Sequence, residues 1–363
     1  MVKIGNMTAA QFEKILEKKK VICFCAGKAL QELSDEYILL KERIECIVDN
    51  RKNGKIYEIN GKKLPIIDVQ NVELSDNSII IISSIMYADE IVMQLDSIHK
   101  FDGITIYVPY MFVEDKETEG KKYISTTRIP KTIHYCWFGG KPIPQKFKDN
   151  METWKRYCPD YEIVLWNESN YDWKKNKYMK QAYESGKWGF VPDYARLDII
   201  NSYGGIYLDT DVEIVRNIDS LLQYELFCGF ESRKYVAFGL GFGGKREHPI
   251  LEEMMEEYEK IDFINNDGTL NLLPSPAYQT QVLLKHGLIC NGHTQQHDNY
   301  IVFSQEYFAP INAIGIGNVT PSTYSIHQYA ATWYDDNQKN TKKRIIESVN
   351  YIKQRLDESL IAY

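Results

Sequence analysis

The sequence predicts an α/β protein of two domains, a smaller Rossmann-like domain over residues 1–125 followed by a second α/β domain over 126–363. Three observations predict this. The chain has 363 residues, more than one domain of ~100–200 residues needs. In its first third, short aliphatic runs alternate with helical patterns, the signature of parallel strands joined by right-handed crossovers. The texture then changes across the charged stretch Val113–Arg128, which lacks apolar periodicity and reads as a linker. Beyond it, five of the six Trp residues crowd between Trp137 and Trp188.

Composition narrows the class. With 44% hydrophobic and 26% charged residues, the chain has the make-up of a soluble globular protein, which excludes disorder, collagen-like repeats and a coiled-coil rod. A net charge of -7 argues against nucleic acid as a partner, because displacing phosphate counterions takes a basic surface. The opening MVKIGNMTAAQFEKIL has no apolar signal region, and no window approaches the ~18 apolar residues of a membrane span. Seven scattered cysteines read as free thiols, so a cytoplasmic setting is expected.

In the first domain, Val21–Cys25, Ile44–Val48, Ile79–Ser83 and Ile104–Val108 read as buried strands. Helical patterns run through Leu30, Leu33 and Tyr37, and again over Ala88–Ile98. The first turn, Cys25-Ala26-Gly27-Lys28, has one glycine where a dinucleotide fingerprint needs three. Asp49 falls at a strand end where a ribose-binding acid would stand. Without the other glycines, a tight turn at Gly27 and a loop-capping Asp49 is the favoured reading, and the role of this domain is left open.

The second domain concentrates its information in Phe190–Val215, FVPDYARLDIINSYGGIYLDTDVEIV. Pro192 suits a first helical turn, and Asp193 there complements the helix dipole. Arg196, three residues on, shares a face with Asp193. Gly204-Gly205 ends the helix, since glycine takes the left-handed cap conformation freely. Ile206-Tyr207-Leu208 reads as a buried strand, ending at Asp209-Thr210-Asp211. Ligands collect at the carboxyl ends of strands in α/β sheets, where paired carboxylates suit a hard divalent cation held against a diphosphate.

That combination resembles the sugar-binding, DxD-containing region of glycosyltransferase family 32, and it is similar to the catalytic core of the glucosylating bacterial toxins. Two further blocks carry the resemblance: Ile129–Gly140 (IPKTIHYCWFGG) as the family's opening strand and glycine turn, and Tyr324–Trp333 (YSIHQYAATW) as its closing block. The likeness spans about residues 129–335 and leaves the first domain outside.

The resemblance implies a GT-A fold, a nucleotide-sugar donor with UDP favoured, Mn²⁺ or Mg²⁺, and retention at the anomeric carbon. Residue by residue, it implies that Trp137 stacks on the donor base and that Asp193 and Arg196 hold ribose or sugar. Asp209 would face the sugar and ribose, Asp211 the metal, and His327 or the Thr332-Trp333 pair the metal and diphosphate. The implied catalytic group is Asp209, Asp211 and Arg196. It also implies a glycan acceptor, lipid-linked or free, in bacterial capsule, exopolysaccharide or lipopolysaccharide synthesis.

Other features are weighed beside it. Glu231 follows another apparent strand and is read either as a sugar contact or as a loop acid. A phosphatase of the HAD type also ends a strand in Asp-x-Asp, but needs a lysine and an acidic pair downstream, and Asp335-Asp336 follows no apolar strand. A non-catalytic nucleotide-sugar-binding protein is the third alternative. His293 and His297 sit in a loop-like context without a nearby glutamate base, unlike a zinc site. The tail Thr341–Leu360 places Ile345, Val349, Ile352, Leu356 and Leu360 on one helical stripe, expected to pack on the second domain. Its Lys342-Lys343-Arg344 and the cluster Trp173-Lys174-Lys175-Asn176-Lys177 raise peripheral contact with an anionic membrane as the sharper reading.

Overall fold

The computed structural model describes residues 1–59, 61–113, 129–330 and 335–361, so Thr332, Trp333 and nearly all of the expected linker lie outside the described residues. The chain divides into two units: Met1–Lys116 with Ile314–Ile316 and Asp335–Tyr363, and Glu117–Ala313 with Gly317–Tyr334.

The first unit carries strands β1 (Lys3–Asn6), β2 (Lys20–Phe24), β3 (Ile44–Val48), β4 (Ile56–Ile59), β5 (Lys62–Ile67), β6 (Ser78–Ile82) and β7 (Thr105–Tyr107). With the C-terminal strand Leu356–Ile361 they form one sheet in the order Leu356–Ile361, β1, β7, β6, β2, β3, β5, β4. Every pairing is parallel except the β4–β5 hairpin. Central β2 is buried at every position after Lys20, as a parallel strand covered on both faces must be. The four expected strands and both helices are present, the helices at Lys28–Glu36 and Ala88–Asp96. β1 and the β4–β5 hairpin were not expected. β1 has only four residues, and β4–β5 carries Glu58, Lys62 and Lys63 among its apolar positions.

The tail corrects the sequence reading. Its helix runs Asp336–Arg355 rather than 341–360, opens with a capping box of Asp335 and Gln338, and belongs to the first unit, not the second. Val349 and Ile352 are fully buried there, with Ile345 and Leu356 packed beside them. Arg344 donates to both oxygens of Asp89 at 2.9 and 2.8 Å and to Glu90 at 2.8 Å, and Arg355 donates to Asp96 at 2.8 Å. An apolar stripe says that a face must be buried, but not against what. The matching acids stand on a helix some 255 residues earlier in the chain.

The second unit carries β8 (Thr132–Cys136), β9 (Glu162–Trp166), β10 (Gly205–Tyr207), β11 (Val212–Ile214), β12 (Leu226–Phe230), β13 (Val236–Ala237), β14 (Phe242–Gly244), β15 (Gln295–Gln296), β16 (Ile301–Phe303) and β17 (Ser325–His327). The main sheet runs β15, β16, β12, β14, β10, β8, β9, with β13 beside β12, while β11 and β17 form a separate antiparallel pair. β8, β9 and β10 are parallel, and β14 is antiparallel to both of its neighbours. β10 and β12 therefore point the same way. Helices Lys177–Glu184, Val191–Tyr203 and Pro249–Glu259 supply one apolar cluster and Gln145–Tyr157 a second. This is a mixed α/β layer architecture, with the Asp-x-Asp at a strand's carboxyl end, as the GT-A expectation requires.

Candidate active site

The helix Val191–Tyr203 is buried almost all round, its charged Asp193, Arg196 and Asp198 included. Buried charges need partners. Arg196 Nη2 stands 3.2 Å from Asp193 Oδ1 and 3.3 Å from Asp209 Oδ1. Its Nε donates to the Pro192 carbonyl at 3.0 Å, and its guanidinium lies 5.2 Å from the Tyr207 ring centre. Asp198 accepts from the Tyr171 hydroxyl at 2.7 Å and pairs with Lys175.

Gly204 and Gly205, with φ of 68° and 109°, turn the chain from this helix into β10. A Cβ on Gly205 would stand 2.7 Å from the Thr132 carbonyl, so glycine is needed for contact as well as conformation. His134 on β8 ties the turn down. Its Nε2 lies 3.0 Å from the Gly204 carbonyl, and its Nδ1 accepts from Trp166 Nε1 at 3.1 Å. That pattern makes His134 a neutral ring with its proton on Nε2. Burial, partly offset by the Gly204 bond, pushes its pKa down to about 4.

Beyond β10, Asp209-Thr210-Asp211 closes a turn in which the Val212 amide donates to the Asp209 carbonyl at 3.1 Å. β11 pairs with β17, setting Val212 opposite His327. Asp211 is gripped from that side: His327 Nε2 is 3.2 Å from its Oδ1, and the Ala330 amide donates to its Oδ2 at 2.9 Å. From the other side, the helix Gln145–Tyr157 clamps the loop. Asn150 donates to the Thr210 carbonyl at 3.1 Å, Trp154 to the Val212 carbonyl at 2.8 Å, and Thr153 Oγ1 accepts from the Ile214 amide at 2.9 Å.

The two acids differ electrostatically. Burial raises Asp209, an effect Arg196 reduces and Asp211 reinforces. Burial also works to raise Asp211, but His327 and the Ala330 amide outweigh it and hold the carboxyl low. Asp193 is raised by burial against the pull of Arg196.

Asp209, Asp211 and His327 each offer a ligand atom within 4.8 Å of the others, which no other group of three such residues does among those described. Two carboxylates and an imidazole, with the His327 Nδ1 buried and without a hydrogen-bond partner among the described residues, fit a divalent cation of the Mg²⁺ or Mn²⁺ kind.

The structure thus brings together Asp193, Arg196, Asp209, Asp211 and His327. Trp137 is part-buried, its indole donates to the Lys141 carbonyl at 2.6 Å and its ring meets Phe147 edge-on. Among the described residues, His293 and His297 join no group of three metal-ligating side chains, and His297 stacks on Tyr300. Asp335 caps the tail helix.

Sequence reasoning missed Gly239. A Cβ there would lie 2.4 Å from Asp209 Oδ2 and 2.9 Å from Arg196 Nη1. No local pattern announces that glycine, because the contact is made across the fold. The clamp residues Asn150, Thr153 and Trp154 share one helix face, the i, i+3, i+4 spacing being their only sequence signal.

Residues 144–228 match a family model described as the glycosyltransferase sugar-binding region containing a DXD motif. The matched segment includes Asp193, Arg196 and both acids of the Asp-x-Asp. Among curated relatives, inositol phosphoceramide mannosyltransferase 3 of Schizosaccharomyces pombe is 30% identical over 143 residues, covering 37% of this chain and 38% of its own length. Inositol phosphoceramide mannosyltransferase 1 of the same yeast is 22% identical over 226 residues, covering 58% of this chain and 64% of its own length. The chain therefore spans less than two thirds of either relative. Among solved structures, the PaToxG glycosyltransferase is 20% identical, with a TM-score of 0.36 over 44% of this chain and 70% of that one.

Proposed function

We propose that this protein is a metal-dependent, retaining glycosyltransferase that moves a sugar from a nucleotide-sugar donor to a hydroxyl of a glycan acceptor. The observation that carries the reading is the convergence of Asp209, Asp211 and His327 at a strand end inside the DXD-type segment. Asp211 and His327 would hold the cation, whose charge would offset that left on the departing diphosphate. Asp209, braced by Arg196 and kept close by Gly239, faces the donor. Its position is set before substrate arrives, so little reorganisation is needed in the transition state.

The donor nucleotide is taken as UDP from the family resemblance, while the mannosyltransferase relatives support a mannosyl donor and make GDP the competitor to test. The setting proposed is bacterial surface-glycan synthesis at the cytoplasmic face of the membrane. Among the described residues, no helix is long and apolar enough to cross a membrane. Arg344, Lys175 and Lys177 are each paired with an acid of the same unit, which leaves them poor candidates for gripping lipid phosphates.

The test is a thermal-shift matrix of UDP, GDP and their sugars with Mn²⁺, Mg²⁺ or EDTA, on wild type and Asp211→Asn. A ligand that binds only the folded state must raise its melting temperature. The expected result is a metal-dependent shift with one nucleotide class, absent in the variant. No shift, together with phosphate release from simple esters, would overturn the reading in favour of a phosphatase.

A further inference from the structure

Glu231 is the acid that the site as described does not use, and the sheet brings it to the same edge. Gly244 of β14 pairs with Gly205 on one side and Leu226 on the other, so these two residues are level. β10 and β12 run in the same direction from there. Asp209 is four residues beyond Gly205, and Phe230 four beyond Leu226, so Glu231 emerges within one residue of the level of the Asp-x-Asp. Two strand spacings, about 10 Å, separate β10 from β12, with β14 between them.

The surroundings of Glu231 are those of a held functional group. Its amide donates to the Tyr235 carbonyl at 2.8 Å, which anchors its backbone in the β12–β13 turn. Among the described residues, no hydrogen bond or ion pair is made to its partly buried carboxylate. A surface loop acid would be solvated, and a structural buried acid would be hydrogen-bonded. Burial raises its pKa, and the facing His327 imidazole draws it back down; the Tyr329 ring lies within the same field. A carboxylate partly withdrawn from water that no described residue satisfies is a cost to stability that a substrate contact would explain.

We propose that Glu231 is a further carboxylate of the transfer site, touching the transferred sugar. This rests on the glycosyltransferase reading above. As the bond from C1 to the diphosphate oxygen breaks, its electron pair leaves with the diphosphate and positive charge develops at C1, beside Glu231. The incoming hydroxyl oxygen, or water when no acceptor is present, then bonds to C1 and gives up its proton to the departing diphosphate. A carboxylate aimed at that charge acts in the transition state more than in the ground state.

The test uses the full chain with Mn²⁺ and compares wild type, Glu231→Gln and Glu231→Asp in release of nucleoside diphosphate from nucleotide sugars, in calorimetric binding of the diphosphate alone, and in melting temperature. The expected result for Glu231→Gln is at least ~100-fold slower release. Diphosphate affinity should stay within about 2-fold and the melting temperature should be unchanged or higher, since an unpaired buried charge has gone. Glu231→Asp should recover part of the rate. Release within about 3-fold of wild type would overturn the proposal. So would parallel loss of diphosphate binding, which would put Glu231 at the cation, or a clear fall in melting temperature, which would make it structural. A wild-type protein that releases diphosphate from no nucleotide sugar would overturn the glycosyltransferase reading itself, and this proposal with it.

Discussion

Each unit has an aspartate at a strand end near a glycine turn, and the two aspartates are used in opposite ways. In the first unit, Asp49 follows β3, and both of its oxygens accept backbone amides: Ala26 at 2.9 Å and Arg51 at 3.0 Å. The Tyr57 hydroxyl donates to the Gly27 carbonyl at 2.9 Å, and the Lys52 amine donates to the Ala26 carbonyl. That turn is closed on itself, in keeping with the loop-capping reading of Asp49. In the second unit, Asp209 pairs with a buried arginine, accepts from no backbone amide among the described residues, and keeps 26% of its side-chain surface exposed. An acid after a strand is turn cement when amides saturate it. It is a ligand site when a cation braces it from behind and its front is left open.

This contrast can be broken, most severely at the metal. Asp211→Asn is expected to lower turnover by about 10³-fold and abolish the Mn²⁺-dependent thermal shift, while far-UV circular dichroism stays native. EDTA on wild type should reproduce the binding loss. Asp49→Asn should do neither, and a comparable loss there would erase the distinction between the two acids.

Next in size is the pH response of His134. Its unfolded pKa is about 6.5, and the folded ring titrates at about 4. Between those values the unfolded chain binds the proton and the folded chain does not, so stability falls as pH falls through that window, by roughly 3 kcal/mol in total. The raised Asp193 pulls the other way over the same window, so the measurement is the difference in slope between wild type and His134→Gln. All six Trp residues fall within the span of the second unit, so Trp fluorescence reports that unit alone.

Gly239→Ala sharpens the site argument. A methyl 2.4 Å from Asp209 Oδ2 must displace it, with an expected 10- to 100-fold loss of turnover at a cost of about 1–3 kcal/mol in stability. A variant of wild-type activity would show that Asp209 does not need its position.

The smallest expected effect lies in the first unit. Arg344→Met should cost about 1–2 kcal/mol, read by hydrogen exchange in the helix Ala88–Asp96, with turnover unchanged. In the folded protein, burial works to raise Asp89 and Asp96, but Arg344 and Arg355 outweigh it and hold both below their usual value. That stability is present above pH ~4 and is lost as pH falls through the lower folded values. The two units should therefore weaken in different pH windows, and a shared window would remove this part of the comparison.

The sequence by itself determined the α/β class, the parallel core strands of the first unit, the helix–glycine–strand passage into Asp209-Thr210-Asp211, and Asp193 and Arg196 on one helix face. Those follow from local rules: aliphatic runs, helix caps and i, i+3 spacing. Only the tertiary structure decided that Arg196 braces Asp209, that His327 meets Asp211 through the β11–β17 pairing, and that Gly239 must lack a side chain. It also decided that the tail helix belongs with the first unit. Each of these depends on contacts between residues far apart in the chain. Local sequence patterning says that a charge or an apolar stripe must be satisfied, but the partner is chosen by sheet order and register.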